Sequence, residues 1–259
     1  MIAYDKSMKR IVLGIVCLWI GSLAPASENL WTKAVELARL NSSRVPGKMV
    51  LLSEMLDGDG RAKESEEIWF AITQQADGTL DQALVKYLKD GKDITAEKQA
   101  EEKKAREKEA AENAKKKKEG DKKESVSIGF ENAGVFDPDL QKDTQVTQTP
   151  QRKAVDGKMC LGYAFRQKSK NKEEGTLVGT AWLEKDTGAA LEVQYTSDPL
   201  PKHVKELTTT VRYMVQPDGA WEGREMKMEG VGGILFIKKR FRMTMHFNEF
   251  FRYTEPAKK

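Results

Sequence analysis

The sequence predicts an α+β fold in which a strongly curved antiparallel sheet, a half-barrel, packs on an N-terminal helix and carries an inserted charged helix. Three observations predict this fold. Residues 157–253 read as long strands whose side chains alternate between two faces, with short turns between the strands. An amphipathic helical pattern precedes them near the N-terminus. Between these two parts lies a stretch of almost continuous charge, which has nothing to bury in a core.

Residues 1–26 have the three parts of a secretory signal peptide. Three basic residues up to Arg10 precede a short apolar run over residues 11–20, and small residues around Ala26 provide a cleavage site. We expect cleavage after Ala26 and a periplasmic location; the alternative is an uncleaved membrane anchor, for which the apolar run is short. Cleavage removes three basic residues and one acidic residue, which lowers the formal net charge from +4 to +2. This charge gives no support to nucleic-acid binding.

Residues 27–96 are predicted to supply a helix and a hairpin to the sheet. The amphipathic pattern over residues 28–40 predicts the helix. Two strand candidates, residues 48–56 and 61–73, flank a DGDG turn. The turn resembles the start of a calcium loop, but the later positions lack the oxygen ligand and the glutamate that such a loop requires. A hairpin is therefore expected.

The chain then changes from apolar patterning to charge. A short helix is predicted over residues 80–88. The inserted segment Glu97–Glu124 holds eleven Lys or Arg and nine Asp or Glu, with no apolar residue larger than Ala. Opposite charges three or four residues apart, such as Glu102 and Arg106, favour a solvated helix, and a disordered arm is the alternative. This segment is a candidate contact for an envelope protein or an anionic membrane surface.

Residues 125–254 are predicted to be the main β part of the same domain, followed by a tail over residues 255–259. The turns at residues 185–188 and 217–219 contain the Gly, Asp and Pro that tight reversals need. The last strand candidate, residues 234–247, would span roughly 45 Å at about 3.3 Å per residue. A strand this long curls in a twisted sheet, which is why a half-barrel is expected. The competing architecture is two independent domains separated by the charged segment.

The sequence contains no recognisable catalytic or metal-ligating constellation. Its two histidines, His203 and His246, belong to no spaced cluster of ligands, and no serine lies in a G-x-S-x-G elbow. After cleavage of the leader, Cys160 is the only cysteine. Its position among small residues of a strand favours a buried thiol over a nucleophile. We therefore expect a protein that is not an enzyme, with no cofactor and no metal.

The apolar side chains of the β stretch form the candidate binding site. Six of the ten methionines lie in this stretch, and methionine recurs on surfaces that accept varied apolar ligands. The candidate ligand-binding residues are Tyr163, Phe165, Trp182, Met226, Met228, Phe241, Met243, Met245 and Phe247. The alternative is that these side chains pack against the N-terminal helix as an ordinary core.

The order of elements resembles the periplasmic LolA/LolB type of lipoprotein carrier, whose half-barrel is shared by sigma-factor regulators of the RseB type. The resemblance rests on residues 175–247, especially GTAWLEKDTGAALEVQYT and ILFIKKRFRMTMHF. It implies a curved sheet that cups an apolar cavity, closed by helices, and that receives the acyl chains of lipoproteins. It therefore implies a carrier of acyl chains or lipoproteins in outer-membrane lipoprotein sorting. The charged segment departs from the simple carriers, and the alternative is a non-enzymatic envelope interaction or scaffold protein that uses this segment as an arm.

Overall fold

The computed structural model describes residues 29–116, 134–169, 175–233 and 238–254. The predicted signal peptide and residues 234–237 of the last predicted strand lie outside the described residues. The helices are α1 (Leu30–Leu40) and α2 (Thr95–Lys116), with 3-10 helices at Gly134–Phe136 and Pro138–Asp143. The strands are β1 (Arg44–Val45), β2 (Lys48–Leu56), β3 (Ala62–Gln74), β4 (Leu80–Lys89), β5 (Lys92–Asp93), β6 (Thr144–Val155), β7 (Lys158–Lys168), β8 (Thr176–Glu184), β9 (Ala190–Asp198), β10 (Val204–Val215), β11 (Trp221–Gly232), β12 (Lys239–Asn248) and β13 (Phe251–Arg252).

Eleven of these strands form one antiparallel sheet in the order β5-β4-β3-β2-β12-β11-β10-β9-β8-β7-β6. From β6 to β12, each strand pairs with the next strand in the sequence. The hairpin of β2 and β3 then joins the free side of β12 through nine residue pairs, from Lys48 opposite Asn248 to Leu56 opposite Arg240. Strands β1 and β13 form a separate two-stranded sheet. This large antiparallel sheet with few helices confirms the predicted α+β class, whereas its strong curvature stays a prediction.

Helix α1 forms where the amphipathic pattern predicted it. Asn29 caps its N-terminus, because the side-chain Oδ1 accepts a hydrogen bond from the Trp31 backbone N–H at 3.1 Å. At the other end, Asn41 closes the helix by donating its Nδ2–H to the Leu37 carbonyl at 2.8 Å. The buried face consists of Leu30, Trp31, Ala34 and Ala38. Their spacing of three to four residues turns one stripe of the helix towards the sheet.

The main core lies between α1, the 3-10 helix that ends at Phe136, and strands β7 to β11. Trp31 is central: its ring centroid lies 4.8 Å from that of Phe136 and 5.8 Å from that of Phe165. Its indole N–H donates to Gln141 Oε1 at 2.8 Å. Trp221 is completely buried, and its indole N–H donates to a backbone carbonyl at 2.7 Å. Both indoles therefore bury large apolar surfaces without leaving a donor unpaired.

The helix predicted over residues 80–88 was wrong, because these residues form strand β4. In isolation LDQALVKYL contains mostly good helix formers. In the folded chain β4 pairs with β3 at nine positions, and the connecting turn contains Gly78 with a φ of 86°. The hydrogen bonds between β4 and β3 outweigh the preference of these residues for a helix, which is worth only a few tenths of a kcal/mol per residue.

The charged segment begins with helix α2, but the N-terminal part of this helix lies along the sheet edge instead of projecting from it. Gln99 Nε2 donates to the Leu84 carbonyl and Arg106 Nη2 donates to the Gln82 carbonyl, both at 2.9 Å. Both carbonyls belong to β4, next to the edge of the sheet. Side chains that cannot enter a core therefore still have a structural role, since they cover the polar backbone of an outer strand.

Replacing Trp31 with Ala should lower the free energy of unfolding by about 3–5 kcal/mol, because it empties the centre of the main core. Urea unfolding of the chain from Ser27 onwards, followed by circular dichroism, measures this change. Leu40→Ala is the matched control on the same helix, since Leu40 is 57% exposed. Its effect should stay within about 0.5 kcal/mol. Equal effects of the two substitutions would contradict the central role of Trp31.

The single-domain organisation stays a prediction that a fragment can test. A fragment of residues 150–259 lacks α1 and Phe136, and it leaves β12 without its partner β2. We expect no cooperative thermal transition from this fragment by circular dichroism, because its apolar face would have nothing to pack against. A cooperative transition would support two independent domains instead.

Cys160 should be inert to thiol reagents in the folded protein. The residue is completely buried, and burial raises the pKa of its thiol. In the chain from Ser27 onwards, Ellman's reagent should react with it only after unfolding in concentrated guanidinium chloride. A Gly58→Cys variant is the control, because an added side chain at this exposed turn meets nothing within 4 Å. Rapid reaction of Cys160 without unfolding would show that the thiol is accessible.

Candidate functional site

The strand register brings apolar side chains of four neighbouring strands onto one face of the sheet. Paired residues in an antiparallel ladder share a face, so the pairing of β2, β12, β11 and β10 defines rows across them. The three rows are Leu51, Met245, Met226, Val211; then Ser53, Met243, Met228, Thr209; then Met55, Phe241, Gly230, Leu207. We call the apolar members of these rows the methionine face.

Gly230 gives the Phe241 ring its place on the methionine face. The two residues are directly opposite each other on β11 and β12. A Cβ at position 230 would lie only 2.7 Å from the Phe241 Cζ atom. The ring therefore lies across β11 where the missing side chain leaves room, which is a recurrent arrangement for a glycine in a strand.

The methionine face is half-buried along its whole length. The same face of the sheet continues from Val211 through Val193 and Ala181 to Tyr163, where α1 and the 3-10 helices cover it. In that covered half Val193 is 1% exposed and Tyr163 is 5% exposed. One face of one sheet therefore has a filled half and a half whose apolar side chains still reach solvent.

Five of the nine predicted site residues lie on the methionine face: Met226, Met228, Phe241, Met243 and Met245. None of them is fully packed. The sequence reasoning missed Leu51 and Met55 of β2, which lie opposite Met245 and Phe241. The signal was present, because Met49, Leu51 and Met55 follow the two-residue period of a strand.

Three further predicted site residues belong to filled cores. Tyr163 and Phe165 are 5% and 3% exposed and lie around Trp31. Phe247 is 2% exposed and packs with Met49 and Ile72 in a smaller core beside β13. For these three, the alternative of an ordinary core describes the packing.

Trp182 lies on the opposite face of the sheet from the methionine face. Its partner in the ladder is Glu192, and the partner of Glu192 on β10 is Arg212. Arg212 is the neighbour of Val211 in the sequence, so its side chain lies on the other face of the sheet. The Lys153 ammonium lies 4.6 Å from the centroid of the Trp182 ring, in cation–π geometry. We therefore leave Trp182 out of the candidate site.

On the opposite face, ion pairs join β11, β12 and β2. Arg242 lies between two carboxylates: its Nε is 2.9 Å from Glu229 and its Nη1 is 3.4 Å from Glu54. Lys227 Nζ is 2.9 Å from the other Glu229 oxygen. Hydrogen bonds from Lys227 and Arg242 lower the pKa of Glu229 against the opposing effect of burial. The opposite face is therefore mainly polar on β10, β11 and β12, whereas β2 adds Val50, Leu52 and Leu56 to it.

An open pocket of about 530 Å³ lies at the end of the sheet where the methionine face stops. It is lined by Met55 and Lys239 of that face and by a row of the opposite face, Leu56, Arg240, Val231 and Glu206. Lys63 contributes a cation from β3, and the exposed run of Lys238, Lys239 and Arg240 contributes three more at the start of β12. The apolar rows therefore end among basic side chains.

The Glu222 side chain is only 1% exposed, and partners within the fold account for the burial of its carboxylate. Its Oε1 accepts a hydrogen bond from Arg44 Nε at 2.8 Å, and its Oε2 accepts one from Gln216 Nε2 at 2.7 Å. Both oxygens are paired, and the ion pair ties β1 to β11. Removing Arg44 would leave the Glu222 charge buried and without its counter-ion, at a cost of about 3–5 kcal/mol. We therefore assign this carboxylate a structural role.

The described residues include no group of three or more His, Cys, Asp or Glu side chains arranged to hold a metal ion. Across the same part of the chain, neither helix has the length and apolar character needed to cross a bilayer.

Comparison with solved structures found similarities at low sequence identity. A LolA superfamily protein from Nitrosomonas europaea is 9% identical with a TM-score of 0.33, and the match covers 86% of this chain and 94% of that chain. A DUF1329 family protein from Desulfovibrio piger is 13% identical with a TM-score of 0.34, covering 86% and 91%. A chain of the Pseudomonas aeruginosa MucA/MucB complex is 11% identical with a TM-score of 0.23, covering 87% and 98%.

No family model matches the sequence, and the search of curated proteins found no match. The LolA superfamily is the one that the sequence resemblance predicted. Because the identities and TM-scores are this low, function is inferred from the side chains of the chain itself.

Proposed function

We propose that this protein is a non-enzymatic binding protein that carries acyl chains or lipoproteins in the periplasm. The observation that carries the proposal is the methionine face, an apolar surface on four strands that the fold leaves half-buried. An ordinary core would bury these side chains, as α1 does for the other half of the same sheet face. The proposed location follows from the signal peptide expected over residues 1–26.

Methionine suits the binding of a flexible hydrocarbon chain. The unbranched thioether has three rotatable bonds and a polarisable sulfur, so it adapts to chains of different length and curvature. Four methionines occupy adjacent rows of β11 and β12, flanked by Phe241 and Leu51. Each methylene group that an acyl chain buries there would contribute about 0.8 kcal/mol.

The alternative is an envelope scaffold whose charged segment contacts a partner or an anionic surface. The exposed charges of α2 between Lys103 and Lys108 favour it. Residues Gln99 and Arg106 of the same helix, however, hydrogen-bond to β4. Under this alternative the methionine face would bind no ligand, which separates the two functions experimentally.

Titration with a fluorescent fatty acid tests the carrier function. We expect saturable binding by the wild type and a loss of at least about tenfold in affinity for Met243→Asp, because an acyl chain would have to bury an unpaired carboxylate. Phe241→Asp serves if Met243→Asp does not fold. Mass spectrometry of the purified protein should also find co-purified lipids.

Thr244→Asp is the matched control, since position 244 adjoins Met243 but faces Lys227 on the polar side of the sheet. Its affinity should stay within about twofold of the wild type. If the wild type binds no fatty acid and purifies without lipid, the carrier function fails and the scaffold alternative gains.

A further inference from the structure

We propose that the amphiphile bound by the methionine face is anionic, with a phosphate or carboxylate head group held by a basic rim at one end of that face. The rim consists of Lys63, Lys202, Lys205, Lys238, Lys239 and Arg240. This inference rests on the proposed carrier function and adds the chemical class of the ligand.

The strand register gathers the rim from separate parts of the chain. Val204 at the start of β10 pairs with Gly232 at the end of β11, and Gly232 pairs with Lys239 at the start of β12. The lysines on either side of Val204 therefore lie near the cations on either side of Lys239. Lys63 joins them from β3 across the pocket of about 530 Å³.

The rim cations form no ion pairs within the described part of the chain. All six are exposed, and none is within 4.0 Å of a carboxylate oxygen of a described residue. Arg242, two residues further along β12 than Arg240, is by contrast held by Glu229 and Glu54. A cluster of unpaired cations repels itself and gains from an anion that binds between them.

Three carboxylates line the same region, so the rim is not uniformly positive. They are Asp57, Glu64 and Glu206. One oxygen of Asp57 is occupied by the backbone N–H groups of Asp59 and Arg61, which fixes it in the turn. Four of the six cations line the pocket together with these three acids, which leaves a formal charge of +1 at the pocket, and Lys202 and Lys205 add positive charge beside it.

The position of the rim relative to the apolar rows points to an amphiphile instead of a free anion or an acidic peptide. Lys239 lies two residues before Phe241 on the same strand, so both occupy the same face. The row of Phe241, Met55 and Leu207 is thus the apolar row nearest to the rim. An acyl chain along β12 would place its head group beside Lys239, where lysine and arginine suit phosphate and carboxylate oxygens.

The test compares two single-chain lipids that share an acyl chain and differ in head-group charge. Lysophosphatidylglycerol is anionic and lysophosphatidylcholine is zwitterionic; each displaces the fluorescent fatty acid at concentrations below micelle formation. We expect the wild type to bind the anionic lipid roughly tenfold more tightly at low salt. This preference should shrink as salt is added, because exposed charges are screened.

The double variant Lys205→Glu/Lys239→Glu should lose this preference and keep its affinity for lysophosphatidylcholine within about twofold. The matched control Lys142→Glu/Lys185→Glu changes two exposed lysines elsewhere in the chain and should keep the preference. A double variant that retains the preference would overturn the proposed rim.

The remaining outcomes distinguish failure of the anionic head-group proposal from failure of the carrier function on which it rests. Equal binding of both lipids by the wild type overturns the anionic head group but leaves the acyl carrier standing. Binding of neither lipid overturns the carrier function itself. Displacement of the probe by glycerol phosphate, at the affinity of the anionic lipid, would indicate a site for a free phosphate and would also overturn the inference.

Discussion

The pairing of β2 with β12 is the constraint on which the rest of the structure depends. Its nine residue pairs join strands that lie near opposite ends of the described chain. Without it the sheet would end at β12, and the hairpin of β2 and β3 would have no neighbour on one side. The same pairing places Leu51 and Met55 beside Met245 and Phe241, so it completes the candidate site as well as the fold.

The two halves of one sheet face show how a single alternating pattern serves two purposes. Where α1 crosses the sheet, Trp31 and Phe136 fill the space above the strands, and the side chains beneath them are fully buried. Further from α1, the methionine face has the same period of two and stays half-buried, with Val211 at the boundary between the two halves. A covering element, and not the strand sequence, decides whether an apolar row becomes a core.

This dependence explains what the sequence could and could not predict. The bounds of β2 and the faces of Met226 and Met243 follow from strand periodicity, and all were predicted from the sequence. Helix propensity misled for residues 80–88, because pairing with β3 is not visible in a local window. The burial of Tyr163 depends on where α1 docks, and Phe136 lies in a stretch with little periodicity of its own. The alternation of apolar and polar residues along the strands does not contain this information about tertiary packing.

The two edges of the eleven-stranded sheet affect whether copies of this protein aggregate at high concentration. An uncovered edge strand is a template on which a second molecule can extend the sheet, and repetition of that step leads to polymers. Polar side chains of α2 occupy carbonyls of β4 at one edge. At the other edge, Pro150 and an irregular register within β6 interrupt the ladder. The charged insertion thus favours a monodisperse protein over a fibre, whatever else it contacts.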